Sequence, residues 1–135
     1  MNVFKTKDHL LIKALAPKIK EYMEKEEYEQ RFESVIRWLR NNLNNYYVSV
    51  WIATDDENNV LGYLLGNILN NLDSEYFNTL QLFGETEEIE KALLEEAIKW
   101  GKEYQLFDYR VSSKKQERWE KYGFKINEYQ LKLKE

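Results

Sequence analysis

The chain has 135 residues, a formal net charge of −4, 43% hydrophobic residues and no cysteine. Its length predicts one domain, residues 1–135, and its apolar and aromatic content is too high for a disordered protein. The lack of cysteine excludes disulfides and zinc thiolate sites, and it favours a reducing compartment, so we expect a cytoplasmic protein. No run approaches 18 apolar residues, so no membrane span is expected, and the negative charge disfavours nucleic acid as a partner.

The N-terminal part is predicted to form a short strand and two helices. Residues 2–6 look extended, and Asp8 is a candidate N-cap for the first helix. A second helix is expected from about Glu26 to Asn44. Apolar residues recur at helical spacing in both, which is typical of helices that pack on a core: Leu11, Leu15, Ile19 and Tyr22, then Phe32, Val35, Ile36 and Leu39.

Strand patterns follow, interrupted by one long helix. The runs YYVSVWIAT (46–54) and VLGYLLGNIL (60–69) flank DDENN, which predicts a β-hairpin. The remaining predicted elements are a strand at 75–83, a helix from Thr86 to about Glu103, a strand from Leu106 to Val111, a short helix from Lys114 to Lys121 and an extended segment from Phe124 to Lys134. Because strands alternate with helices, we expect an α/β protein with a mixed sheet.

Three of these segments, in this order, resemble one enzyme family. VWIATDDENNVLGYLLG is similar to the central hairpin of the GNAT family of acyl-CoA-dependent N-acetyltransferases, EKALLEEAIKW to its signature helix, and WEKYGFK to its closing helix-to-strand turn. The resemblance extends over nearly the whole chain. It implies a mostly antiparallel mixed sheet with helices on both faces and, in an active member, acetyl-CoA as the cofactor.

The signature loop of that family reads Gln/Arg-x-x-Gly-x-Gly/Ala, and its glycines let the backbone approach the acyl-CoA pyrophosphate. The residues that align with cofactor-binding positions are Leu82, Glu85, Glu88, Ile89, Glu90 and, further on, Ser112. Glu85 stands where the family has a cation, and Glu88 and Glu90 replace small residues. A glutamate ~8 Å from a phosphate costs roughly 2 kcal/mol before screening, so the segment predicts weak acetyl-CoA binding.

The same segment also has a purely structural interpretation. Thr86 is a good N-cap, and Glu87, Glu88 and Glu90 complement the positive end of the helix. In this interpretation the helix supplies its own anions and needs no ligand.

Candidate catalytic residues are few. The tyrosine that serves the family as general acid aligns with Trp119, which has no proton to give, so Tyr122 is the remaining candidate acid or else a packing residue. Glu75, at the start of its strand, is the candidate general base or else a solvated acid. With His9 as the only histidine, no histidine-based metal site is expected.

Two functions remain open. The first is a non-catalytic or altered GNAT relative that acts by binding a macromolecule or itself, with a homodimer the simplest form; the second is an active N-acetyltransferase with an atypical cofactor loop. The basic segment RVSSKKQERWEKYGFK is a solvated face, an anionic partner surface or a contact for the cofactor's terminal phosphate. The family's sheet splays between its fourth and fifth strands, and here we expect the wedge to hold a protein segment or to be closed by Leu80, Leu82, Phe83, Leu106, Phe107 and Tyr109.

Overall fold

The structure, a computed structural model, describes residues 1–27, 31–70, 72, 74–111 and 116–125. In chain order its elements are β1 (Asn2–Lys5), α1 (His9–Lys25), α2 (Phe32–Asn42), β2 (Val48–Thr54), β3 (Val60–Asn70), β4 (Glu75–Gly84), α3 (Glu87–Glu103), β5 (Tyr109–Val111) and α4 (Gln116–Glu120). Among these helices none is both long enough and apolar enough to cross a bilayer.

The five strands form one mixed sheet in the order β1-β2-β3-β4-β5. Neighbouring strands are antiparallel as far as β4, and α3 then crosses over so that β5 pairs with β4 in parallel. This pairing covers only the first half of β4, where residues 77–79 face residues 109–111. The second half of β4 therefore runs beyond the described end of β5, and no described strand pairs with that edge; we call this edge of β4 the gap.

Helices pack on both faces of the sheet, which confirms the predicted fold class. On one face, α1 and α2 contribute Leu15, Ile19 and Leu39 to a core with Val50 and Tyr63 of the sheet. On the other face, α3 and Trp119 pack against the remaining sheet residues, which include Trp51, Leu64, Phe77 and Leu82. The alternation of side chains along each strand divides the core in this way.

Two predicted starts differ clearly from the observed ones, and a third predicted element is mostly not described. The second helix begins at Phe32, not near Glu26, because α1 continues to Lys25. The fifth strand begins at Tyr109 because residues 106–108 precede it as an irregular connection, in which the Leu106 N–H donates to the Gly101 carbonyl oxygen. Most of the extended segment predicted from Phe124 onward lies outside the described residues.

The contact between Gly101 and Tyr109 fixes β5 against α3. The Tyr109 hydroxyl donates to the Leu106 carbonyl oxygen at 2.6 Å and lies 3.0 Å from the carbonyl oxygen of Ile98. A Cβ added at Gly101 would lie 2.4 Å from this hydroxyl oxygen. The position therefore requires glycine, although it lies in a helix where alanine is ordinarily preferred.

We expect Gly101→Ala to destabilise the protein. The alanine gains up to ~1 kcal/mol of helix propensity, but the clash with Tyr109 costs about 1 to 3 kcal/mol, so the melting temperature should fall by several degrees. In a Tyr109→Phe background the hydroxyl is gone, and the same substitution should cost less. Thermal unfolding of the four proteins checks this, and a Gly101→Ala protein more stable than the wild type would contradict it.

Candidate functional site

A groove of about 380 Å³ lies where β4 ends and α3 begins. The end of α1 and the α4 segment form its other walls. Seven of its ten lining residues are charged, so it is a polar groove of mixed sign; the full set is Lys25, Glu26, Phe83, Gly84, Glu85, Thr86, Glu87, Glu90, Arg118 and Lys121.

The turn from β4 into α3 forms the floor of the groove and places the glutamates. Thr86 is the N-cap of α3, and its hydroxyl accepts a hydrogen bond from the Ile89 N–H at 3.3 Å, as predicted. Ile89 is buried against the α3 side of the sheet. A Cβ at Gly84 would lie 2.8 Å from the backbone nitrogen of Glu90, so the strand can pass this close to the helix only as glycine.

Three of the carboxylates at the start of α3 are paired with basic side chains. The pairs join Glu85 to Lys18 of α1 at 2.9 Å, Glu87 to Lys121 at 2.5 Å, and Glu90 to Arg118 of α4 at 2.7 Å. The hydrogen bond that the Lys18 ammonium donates to Glu85 also raises the pKa of Lys18. The repulsion expected from unpaired glutamates is therefore largely neutralised, and Lys18, Arg118 and Lys121 are already engaged.

Arg118 lies in the gap beside β4. Its guanidinium donates to the backbone carbonyl of Leu82 as well as to Glu90, and its side chain is only 14% exposed. Along a strand, the N–H and C=O groups of successive residues point alternately toward one neighbouring strand and toward the other. The carbonyl of Leu82 points away from β3. The guanidinium also lies over the rings of Tyr22 and Trp119, at 5.5 and 4.9 Å from their centroids. One side chain thus joins α1, β4, α3 and α4.

Tyr122 donates a hydrogen bond to the second oxygen of Glu90, at 2.6 Å. Burial raises the pKa of its phenol well above the ordinary value, and the hydrogen bond to Glu90 raises it further. A phenol whose proton is held by a carboxylate transfers that proton reluctantly. In this geometry Tyr122 is a hydrogen-bond partner of Glu90.

The other candidate residues are dispersed. Glu75 is exposed at the start of β4, seven residues before Leu82, which is about 23 Å along a strand. The structure therefore does not bring Glu75 and Tyr122 together. Glu88 is exposed on the first turn of α3 and does not line the groove. Ser112 lies outside the described residues.

The residues expected to close the gap do not act as one group. Leu82 and Phe83 pack on opposite faces of the sheet, and Phe107 is 73% exposed. The role of Arg118 does not follow from the sequence, in which it is one of several charges in the basic segment. The one available signal was Trp119 beside it, since a buried aromatic residue anchors α4 against the core.

The fold is that of GNAT-type acetyltransferases, as the sequence resemblance implied. An aminoglycoside 6'-N-acetyltransferase from Acinetobacter haemolyticus, in its apo form, superposes with a TM-score of 0.81 at 12% identity, over 100% of this chain and 98% of that one. A predicted acetyltransferase from Clostridium acetobutylicum, solved with acetyl-CoA, superposes with a TM-score of 0.79 at 19% identity, over 98% and 95% of the two chains. No protein-family model and no curated protein matches the sequence.

The raised pKa of Tyr122 predicts a loss of stability at high pH. Its neutral form stabilises the fold fully below the unfolded pKa of about 10, and this contribution is lost as the pH rises through the folded pKa. We therefore expect the free energy of unfolding to fall above about pH 10. The fall should be shallower in Tyr122→Phe than in the wild type.

Urea unfolding from pH 8 to 11 measures this slope. Tyr104→Phe, which removes an exposed hydroxyl at the far end of α3, is the matched control and should behave as the wild type does. Equal slopes in all three proteins would show that the Tyr122 proton is not coupled to folding.

Proposed function

We propose that this chain is a GNAT-fold protein whose acyl-CoA cleft is filled by its own side chains and which acts by binding a macromolecule or a second copy of itself. The observation that supports this most directly is the position of Arg118. Its guanidinium holds the Leu82 carbonyl and the Glu90 carboxylate in the gap between β4 and β5. A cofactor arm laid along this edge of β4 has to displace it.

The energy of that displacement decides the affinity. Glu90 is 8% exposed, and Arg118 and Tyr122 together engage both of its oxygens. Breaking a buried ion pair so that one charge is left without a partner costs about 3 to 5 kcal/mol. That cost lowers the affinity for any ligand in the gap by roughly a hundredfold or more. Glu75, the candidate general base, also lies apart from the groove at the start of β4.

The second candidate is an active acetyl-CoA-dependent N-acetyltransferase with an atypical loop. It is favoured by the basic residues already gathered at the start of α3, among them Lys18, Arg118 and Lys121. The pairs of Lys18 and Lys121 are more exposed than that of Arg118, and such pairs contribute only about 0 to 1 kcal/mol. Phosphate groups can replace those two glutamates at little cost, so the two candidates differ mainly in whether Arg118 leaves the gap.

Acetyl-CoA binding to matched variants separates the candidates. We expect no saturable heat for the wild type in calorimetry at ~100 μM acetyl-CoA, and a melting temperature that rises by less than a degree. Removing both partners with Glu90→Ala and Arg118→Ala opens the gap without leaving a lone buried charge, so the affinity should rise at least ~10-fold.

The pair Lys18→Ala and Glu85→Ala is the control, because it removes an ion pair from the same helix turn but outside the gap. It should change the affinity by less than ~3-fold, in line with the small contribution of an exposed pair. Circular dichroism shows whether each variant is folded. Wild-type binding at micromolar concentration, with release of CoA in the presence of amine acceptors, would establish the enzyme instead.

A further inference from the structure

Two buried side chains of β2 carry hydrogen-bond donors that have no acceptor among the described residues. They are the Ser49 hydroxyl and the Trp51 indole N–H, and the two residues are only 1% and 5% exposed. Most buried polar groups in proteins are hydrogen-bonded, so an unpaired one needs a specific explanation. Two such donors on one strand mark a place where an acceptor would be stabilised.

Both donors lie on the face of the sheet that α3 covers. Trp51 belongs to the core under α3, whereas its neighbours Val50 and Ile52 pack on the other face. Side chains alternate along a strand, so Ser49 points to the α3 side as Trp51 does. Successive residues on one face of a strand are about 7 Å apart, so the two donors are close enough to belong to one site.

Aromatic rings form the surroundings of the two donors. The ring centroid of Trp100, on α3, lies 6.2 Å from that of Trp51 and 6.3 Å from that of Phe77. Phe77 also covers Gly66, the residue of β3 that faces Ser49, because a Cβ there would lie 2.4 Å from the Phe77 ring. Such rings pack well against a hydrophobic ligand, but they offer only weak π contacts to an N–H or O–H donor.

Lys5 of β1 brings a positive charge to the same place. It pairs with Trp51 in the strand register, and its ammonium lies 4.3 Å from the centroid of the Trp100 ring. Burial lowers the pKa of this ammonium, and the positive charge of Lys7 lowers it further. Within the described part of the chain, neither lysine has a carboxylate partner. The place therefore combines three donors, one of them charged, with no anion from the described residues.

Lys5 is the group that can move to admit a ligand. β1 is the edge strand of the sheet formed by the described strands, and Lys5 is half-buried there. A contact between an ammonium and a ring is weak at a partly exposed site, and the lysine stem is flexible. The ammonium can therefore exchange the Trp100 ring for the negative charge of a ligand at little cost. That ligand would lie directly across from Lys5, beside the indole of Trp51.

We infer that Lys5, Ser49 and Trp51 form a binding site for a small organic carboxylate, whose hydrophobic body packs against the surrounding aromatic rings. An ionised carboxylate only accepts hydrogen bonds, and its two oxygens can accept from several donors at once. The Lys5 ammonium supplies the opposite charge, which strengthens the hydrogen bond that it donates. The rings suit the hydrocarbon part of the ligand.

This site is separate from the groove. Trp100 follows Glu90 by ten residues on α3, which is about 15 Å along a helix. None of the three donor residues lines the groove. The inference therefore holds whether or not the groove binds acetyl-CoA.

Titration with benzoate, followed by NMR of the tryptophan indole N–H groups, tests this site. The chain has four tryptophans, and Trp51→Phe identifies the Trp51 signal. We expect benzoate to move this signal downfield in a saturable way, with a dissociation constant on the order of 1 mM, as is reasonable for so small a ligand. Benzamide has nearly the same shape without the charge, and it should bind at least ~10-fold more weakly.

Two substitutions and a matched control assign the contacts. Lys5→Met removes the ammonium but keeps a stem, so the dissociation constant of benzoate should rise at least ~10-fold. Ser49→Ala removes an unpaired buried hydroxyl, so it should raise the constant about 3- to 10-fold without weakening the fold. Lys13→Met makes the same change as Lys5→Met on the exposed side of α1 and should leave the constant within ~2-fold.

Each outcome decides for or against the site. The inference is overturned if the Trp51 signal shows no saturable shift up to ~20 mM benzoate, or if Lys5→Met leaves the dissociation constant unchanged. Equal binding of benzamide and benzoate overturns it as well, because the site would then not recognise the charge. If circular dichroism shows that Lys5→Met does not fold, Ser49→Ala decides by its own expected change.

Discussion

The ion pair between Arg118 and Glu90 is the interaction on which the groove end of the molecule depends. Parallel pairing between β4 and β5 covers only half of β4, so no strand among the described residues pairs with the Leu82 carbonyl. A buried carbonyl without a hydrogen bond costs about 1 to 3 kcal/mol, so some donor has to fill the gap. Arg118 supplies it, and the Glu90 carboxylate balances the charge that this places in a nearly buried position. Tyr122 donates to the other oxygen of Glu90.

The basic side chains at the start of α3 can pair with either of two sets of anions, the carboxylates of the chain or the phosphates of a ligand. Lys18, Arg118 and Lys121 now contact carboxylates of the chain itself, where an external ligand could offer phosphates. For the two exposed lysines the exchange is nearly neutral in free energy. For Arg118 it is costly, because a buried carboxylate is left behind. Our proposal that the chain acts by binding rests on this difference in burial.

Much of the fold follows from local sequence. The hairpin around DDENN, the Thr86 cap and the crossover of α3 are local or periodic features, and the structure has each of them. Arg118 and Glu90 are 28 residues apart and lie in different helices. Local sequence patterns therefore do not predict that they form a pair. The late start of β5 follows from the connection before it, in which the Leu106 N–H donates to the Gly101 carbonyl oxygen.

The sequence predicts which residue types lie at each end of the sheet better than it predicts their contacts. Glutamates in the first turn of α3 were visible in the sequence, but their partners come from α1 and α4 and could be found only in three dimensions. Tyr46 and Tyr47 were interpreted as part of a strand because they continue an aromatic and β-branched run, whereas β2 begins at Val48.

A crystal structure determined with millimolar acetyl-CoA tests the central claim most directly. Our account predicts that Arg118 remains in the gap, bound to the Leu82 carbonyl and to Glu90, with no cofactor density along β4. Pantetheine density beside Leu82, with Arg118 turned out toward solvent, would contradict it.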